Sequence, residues 1–323
     1  IEDADAILIV GSNPRREAAI LNARLRKRWR MGDLPIGLIG EQADLRYAHE
    51  YLGAGPETLA ALLDGTHKFA AKLKRAKKPM IIVGQGALAR NDGASVLANA
   101  AKLAGAVGAV NGSWNGFAVL HTAAARVGGL DLGFVPGAGG LTAAEMLTGT
   151  DVLFLLGADE LNFAKKTAGF TVYIGTHGDN GAHHADVILP AAAYTEKSGT
   201  YVNTEGRVQM ASRAAFAPGE AREDWAVLRA LSDVLGKKLP YDSLAALRAR
   251  LYAEYPHFAQ IDAISTADGG AIAAIAKKAG RMGKSAFASP VKDFYLTNPI
   301  ARASAVMAEC SALAKTAKAV AAE

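Results

Sequence analysis

The chain has 323 residues, enough for two compact units, and half of them are hydrophobic. Its single cysteine, Cys310, excludes a disulfide framework and also an iron-sulfur cluster held by this chain alone, which would need about four thiolates or their His substitutes. The net charge of +5 raises the question of nucleic acid. That class is set aside, because the excess sits at expected helix ends (Arg24 to Arg30, Lys72 to Lys78, Lys277 to Lys284) with no platform of interleaved aromatics.

The opening "IEDADAILIVG" carries acids where a signal peptide has its basic region. It starts at Ile1 instead of Met and is read as a processed product or a piece of a longer chain. The apolar run Ala6 to Val10 predicts a strand, and Pro14 to Arg30 a helix. Asn13 is a good N-cap and Pro14 suits the first helical position. Arg15 and Arg16 then lie in a first turn whose dipole disfavours cations, which predicts a bound anion or carboxylate partners across an interface.

A second strand is predicted at Pro35 to Gly40, a helix at Pro56 to Leu63 and a third strand at Pro79 to Gly84. That strand leads into Gly84, Gly86 and Ala89, a G-x-G-x-x-A pattern. "RNDG" interrupts the following helix and no acid stands about 20 positions on, so the NAD fingerprint is incomplete. A helix is predicted at Gly93 to Leu103 and a strand at Val107 to Gly112. The uncharged stretch Leu103 to Ala125 is long enough to cross a bilayer, but Asn111, Ser113, Asn115, His121 and Thr122 argue against a span.

Further strands are predicted at Asp151 to Gly157, Thr171 to Gly175 and Asp186 to Pro190, then a helix at Ala226 to Leu235. Continuous apolar strands separated by helices predict parallel sheets buried on both faces, an α/β doubly wound architecture. Composition shifts divide the chain into an α/β segment at 1–70, a second α/β unit at 71–260 and a tail with a terminal helix at 261–323. The stretch from Ile261 to Pro290 reads as a linker or as a tail that orders on a partner. The terminal helix carries a modest apolar stripe through Ile300, Met307, Cys310, Leu313, Ala317 and Val320.

"THGDNGAHHAD" gathers His177, Asp179, His183, His184 and Asp186, but at no zinc spacing, so capping and loop hydrogen bonds are expected there. The sequence shows neither a nucleophile elbow nor a phosphate-binding Walker loop. The pairs Asp159 with Glu160 and Glu223 with Asp224 are sequence neighbours, a poor arrangement for acid and base work. No catalytic residue and no metal ligand is predicted.

The run "ADVILPAAAYTEKSGTYVNTEGRVQ" (Ala185 to Gln209) turns abruptly from a strand into a polar loop. It resembles the signature of the molybdopterin oxidoreductases, in which such a loop lies close to a pterin-dinucleotide cofactor. The stretches "GSNPRREAAILNARLRKRW", "GLDLGFVPG", "VLFLLGADE" and "KDFYLTNPIARAS" resemble the C-terminal portion of the large iron-sulfur subunit family of NADH:quinone oxidoreductase, respiratory complex I.

That resemblance implies a domain without its ancestral cofactor, acting as a structural and interaction segment. Glu196, Lys197, Gly199, Thr200, Asn203, Glu205, Gly206 and Arg207 would then form a vestigial pterin loop, with no cofactor in this segment. The parent subunit and complex would carry 2Fe-2S and 4Fe-4S clusters and FMN. Partners would be flavin- and iron-sulfur-bearing subunits, on the bacterial cytoplasmic face or the mitochondrial matrix side of the inner membrane. Arg15, Arg16, Arg24, Arg26, Lys27 and Arg28 are the interface candidates. Two rivals stay open: the C-terminal part of an active molybdenum or tungsten oxidoreductase such as a formate dehydrogenase, and a free-standing basic α/β binding module.

Overall fold

The structure, a computed structural model, describes residues 1–167, 169–264 and 268–320, with side chains to residue 316. The chain forms two compact units, each discontinuous in sequence: Ile1–Ala123 with Thr266–Lys292, and Ala124–Ser265 with Asp293–Glu323.

The first unit is built on β1 (Ala6–Val10), β2 (Ile36–Ile39), β3 (Glu50–Gly53), β4 (Pro79–Val83), β5 (Val110–Asn111), β6 (Trp114–Asn115) and β7 (Phe117–Val119). Five of them make a parallel sheet in the order β3-β2-β1-β4-β7. All five residues of β1 are buried, which is why its sequence is unbroken in hydrophobicity. Leu8 and Val10 face one cluster with Leu59, Phe69 and Leu103, while Ile7 and Ile9 face another with Leu25, Leu38 and Leu45. Each such side chain contributes roughly 1.5–3 kcal/mol on burial.

Three expectations are corrected here. The break expected near residue 70 is absent, because β4 pairs with β1 along its whole length. The strand expected at Val107 to Gly112 is only the two-residue β5, turned back on β6 by Asn111, whose side chain accepts from the Ser113 N–H at 3.0 Å. The fifth strand of the sheet is β7 instead. The helix expected at Pro14 to Arg30 breaks at Ala18, whose φ of −150° and ψ of 67° separate Pro14–Glu17 from Ala19–Trp29.

The stretch after Ile261 is not a free tail, although 265–267 lie outside the described residues. Helix Gly269–Ala276 packs on helix Gly93–Ala106, where glycine and alanine on both let the backbones approach closely. Phe287 is 1% exposed inside the first unit's core, and its N–H donates to the Ala54 carbonyl at 2.9 Å.

At the start of the chain, Glu2 accepts two hydrogen bonds of 2.8 Å from Arg24, which lower its carboxyl pKa from 4.5 to about 2. The folded pKa is depressed, so the pair's contribution is complete above pH 4.5 and fades as pH falls toward 2. With both side chains near 40% exposed, that contribution is about 0.5 kcal/mol. Denaturant unfolding of Glu2→Gln should show this deficit at pH 7 and a progressively smaller one as the pH approaches 2.

The second unit contains β8 (Val152–Leu156), β9 (Phe170–Gly175), β10 (Val187–Pro190), β11 (Gly199–Val202) and β12 (Val208–Ala211). The first three form a parallel sheet in the order β10-β9-β8, and β11 and β12 form an antiparallel hairpin. Leu153, Leu155 and Tyr173 face a cluster with Leu147, Phe163 and Ala182.

The opposite face is open, against the expectation of strands buried on both sides. Phe154 pairs in register with Val172, and Val172 with Val187, which puts these side chains on one face. Val172 and Ile174 are covered by Ala191 and Val227, but Val152, Phe154, Leu156 and Phe170 are 51%, 42%, 47% and 51% exposed.

The end of the chain forms helices Pro299–Ala303 and Ala305–Val320. The expected apolar stripe is not buried: Ile300 and Leu313 are exposed, and the side chains of 317–320 lie outside the described residues. The buried residue of this helix is Ser311, whose hydroxyl donates to Asp293 at 2.5 Å.

Candidate functional site

Open parallel sheets place their ligands beyond the carboxyl ends of their strands. In the second unit this position is the polar loop after β10. Glu196 accepts from the Ala193 N–H at 2.9 Å, and Lys197 pairs with Asp224. Gly199 and Thr200 lie on β11, opposite Ala211 and Met210 of β12. Asn203 closes the hairpin by accepting from the Glu205 and Arg207 N–H groups at 2.9 and 3.1 Å. Gly206 takes the positive φ of 79° that this turn requires. Arg207 donates to the Asp262 carbonyl and lies 3.9 Å from the Glu205 carboxylate. The sequence-predicted loop residues are brought together, and their polar groups bond largely to one another and to the backbone.

In the first unit the corresponding position lies beyond β1 and β4. Strand order reverses between these neighbours, the switch point at which doubly wound folds hold ligands. Gly11 and Ser12 follow β1, while Gly84 and Gly86 follow β4. Gly11 has a φ of 61°, and a Cβ there would meet the Ala87 nitrogen at 2.5 Å. Asn13 makes no side-chain cap, contrary to expectation. Glu17 reaches back instead, accepting from Ser12 Oγ at 2.6 Å, the Asn13 N–H at 3.0 Å and Ser289 Oγ at 2.7 Å. A Cβ on Gly86 would collide with the Ala288 carbonyl oxygen. A bulky nucleotide group does not fit against Gly86 while Ala288 holds that place.

The histidine-rich stretch supplies structure, as expected. His184 stacks on Phe163 with ring centroids 4.8 Å apart, and its Nδ1 lies 2.9 Å from the Asn180 carbonyl. Asp186 accepts from the Thr171 N–H at 2.8 Å. Among the described residues no three His, Cys, Asp or Glu side chains are grouped to hold a metal ion.

Asp159 is 2% exposed and accepts from Tyr173 Oη at 3.0 Å and the Gly181 N–H at 2.8 Å. Burial, reinforced by this carboxylate, pushes the Tyr173 phenol pKa up and keeps it a neutral donor. Arg302 was not singled out by the sequence. Its guanidinium reaches Asp179 at 2.5 Å and Glu160 at 2.7 Å, anchoring the "NPIARAS" segment. Its signal was its place in that specific stretch, since no spacing rule links residues 160, 179 and 302.

Several interface candidates are engaged within their own unit. Arg15 pairs with Asp44 at 3.0 Å, Arg24 with Glu2, and Arg28 donates to the carbonyls of Ala4 and Gly32 at 2.9 Å. These bonds correct the reading of all three as side chains reserved for other subunits. Arg26 and Lys27 are exposed and Arg16 is half-buried, with no ion-pair partner among the described residues.

The family pattern of molybdopterin oxidoreductases matches residues 1–234, and that of the C-terminal part of the large NADH-ubiquinone oxidoreductase subunit matches 260–310. The 78 kDa subunit of mitochondrial NADH-ubiquinone oxidoreductase from Neurospora crassa is 44% identical over 98% of this chain and 43% of its own length. The mitochondrial NADH dehydrogenase [ubiquinone] iron-sulfur protein 1 of Solanum tuberosum is 42% identical over 98% of this chain and 42% of its own. The NADH-ubiquinone oxidoreductase 75 kDa subunit of Reclinomonas americana is 42% identical over 98% and 46%. The chain thus spans less than half the length of these relatives.

Among solved structures, acetylene hydratase from Pelobacter acetylenicus superposes with a TM-score of 0.56 at 14% identity, over 80% of this chain and 51% of that one, which shows a shared fold. The chain belongs to the molybdopterin oxidoreductase family, and it ends in the segment characteristic of the C-terminal part of the large NADH-ubiquinone oxidoreductase subunit.

Proposed function

We propose that this chain is a structural and interaction segment in the peripheral arm of a proton-pumping NADH:quinone oxidoreductase, with no redox centre of its own. Electrons would pass from NADH through FMN and the 2Fe-2S and 4Fe-4S clusters of the assembly to quinone. This segment would brace the cluster-bearing part of its subunit and contact its neighbours. The assembly would lie peripheral to the inner membrane, on the bacterial cytoplasmic or mitochondrial matrix side. No helix among the described residues is long and apolar enough to cross a membrane. The names of the relatives favour this reading over a formate dehydrogenase-like enzyme.

The observation that carries the interaction role is the open apolar face of the β10-β9-β8 sheet. Parallel sheets are normally covered on both faces, and a contiguous exposed apolar patch marks a binding surface. Arg16, Arg26 and Lys27 would add peripheral charge. Phe154→Glu should leave the isolated chain's unfolding midpoint nearly unchanged and cut its recovery in the assembled complex by about tenfold, by burying an unpaired charge. Arg26→Glu with Lys27→Glu should cost less, about 1 kcal/mol of association or below. Full recovery of the Phe154→Glu chain with the other subunits would rule out this face as an interface.

A further inference from the structure

The switch-point crevice of the first unit is crossed by the chain's own later residues. Ser285 to Pro290 run past the carboxyl ends of the strands and touch the connections that follow them. The Phe287 N–H bonds to Ala54 after β3, and a Cβ on Gly55 would meet the Ala286 Cα at 3.1 Å. Ala288 closes on Gly86 after β4, and Ser289 shares the Glu17 carboxylate with the β1 loop.

Arg90 and Asp92, the residues that interrupt the helix after β4, latch this segment. Arg90 donates to the Ser285 and Ala286 carbonyls at 2.9 and 3.2 Å and lies over the Phe287 ring, 5.2 Å from its centroid. Asp92 accepts from the Gly283 N–H at 2.7 Å and pairs with Arg90.

We propose that Ser285–Pro290 is itself the ligand of this crevice, a strap in cis that excludes the nucleotide arm of a pterin-dinucleotide cofactor. The crevice lies within residues 1–234, matched by the pattern of molybdopterin oxidoreductases, and the strap lies within 260–310, matched by that of the C-terminal part of the NADH-ubiquinone oxidoreductase subunit. A segment from outside the ancestral pattern thus fills the ancestral site. The same features account for the failed dinucleotide fingerprint, since Gly86 admits Ala288 and "RNDG" provides the latch.

The test uses the full chain, wild type and Arg90→Ala, in hydrogen exchange and in titration with ADP as a nucleoside diphosphate probe. The Phe287 and Gly283 amides should exchange about tenfold faster in the variant, while β1 and β4 amides keep wild-type protection. Wild type should show no saturable ADP binding to millimolar concentration, and the variant should acquire it. Should Arg90→Ala unfold the unit, Arg90→Lys, which loses the bidentate fork but keeps the charge, gives the same readout. Saturable ADP binding by wild type would overturn the proposal. So would an opened strap without ADP binding, or unchanged exchange at Phe287. None of these outcomes depends on membership of a larger complex.

Discussion

Phe287→Ala should lower the stability of the first unit by about 3–5 kcal/mol, a drop of roughly 10 °C in its midpoint by calorimetry. Phe287 is 1% exposed and shares a cluster with Leu8, Val10 and Leu59, the residues that hold the central strand. Truncation removes the ring's transfer free energy and leaves a hole bounded by the sheet ends, where the rigid turns at Gly40 and Gly55 cannot collapse inward. The contact with Arg90 is lost as well. A change below about 1 kcal/mol would mean that the segment is only draped over the surface.

Arg302→Ala should cost about 2–3 kcal/mol in the second unit, because it leaves Asp179 and Glu160 without the cation that bridges them. Arg302 is 25% exposed, so its loss falls short of that of a fully buried pair. Arg302→Lys should recover only part of the loss, since an ammonium does not reproduce the two-pronged bond to separate carboxylates. Hydrogen exchange in helix Ala305–Val320 would localise the effect. Protection there should fall in Arg302→Ala while β9 keeps its own.

The strands were legible where periodicity and burial agree. β1, β4, β8 and β9 are continuous apolar runs, and they pair in parallel as such runs predict. β3 and β7 were missed because "EYLG" and "FAV" are short and half exposed, so their strand character comes from docking onto neighbours already in place. The unit boundaries were illegible for a topological reason. Residues 269–292 return to the first unit through contacts such as Asn99 with Gly280 and Ser289 with Glu17, which no local composition records.

The loop at Ala185 to Gln209 was recognisable as a motif. That its polar groups are engaged internally followed only from coordinates, because Asp224 and Asp262 complete its partner set. The apolar runs of β8 and β10 were read as wholly buried, and half of that burial is missing from this chain. The arginines at 15, 24 and 28 looked available in sequence because their partners, Asp44, Glu2 and backbone carbonyls, lie on other elements.

The most direct measurement tags this chain in its native host, solubilises membranes gently and assays the purified assembly for NADH:quinone reductase activity together with molybdenum, tungsten and released pterin. The account predicts NADH:quinone reductase activity with neither metal nor pterin in stoichiometric amount. Stoichiometric molybdenum or tungsten with pterin, and no NADH:quinone activity, would contradict it and restore the loop at Ala185 to Gln209 as a working cofactor site.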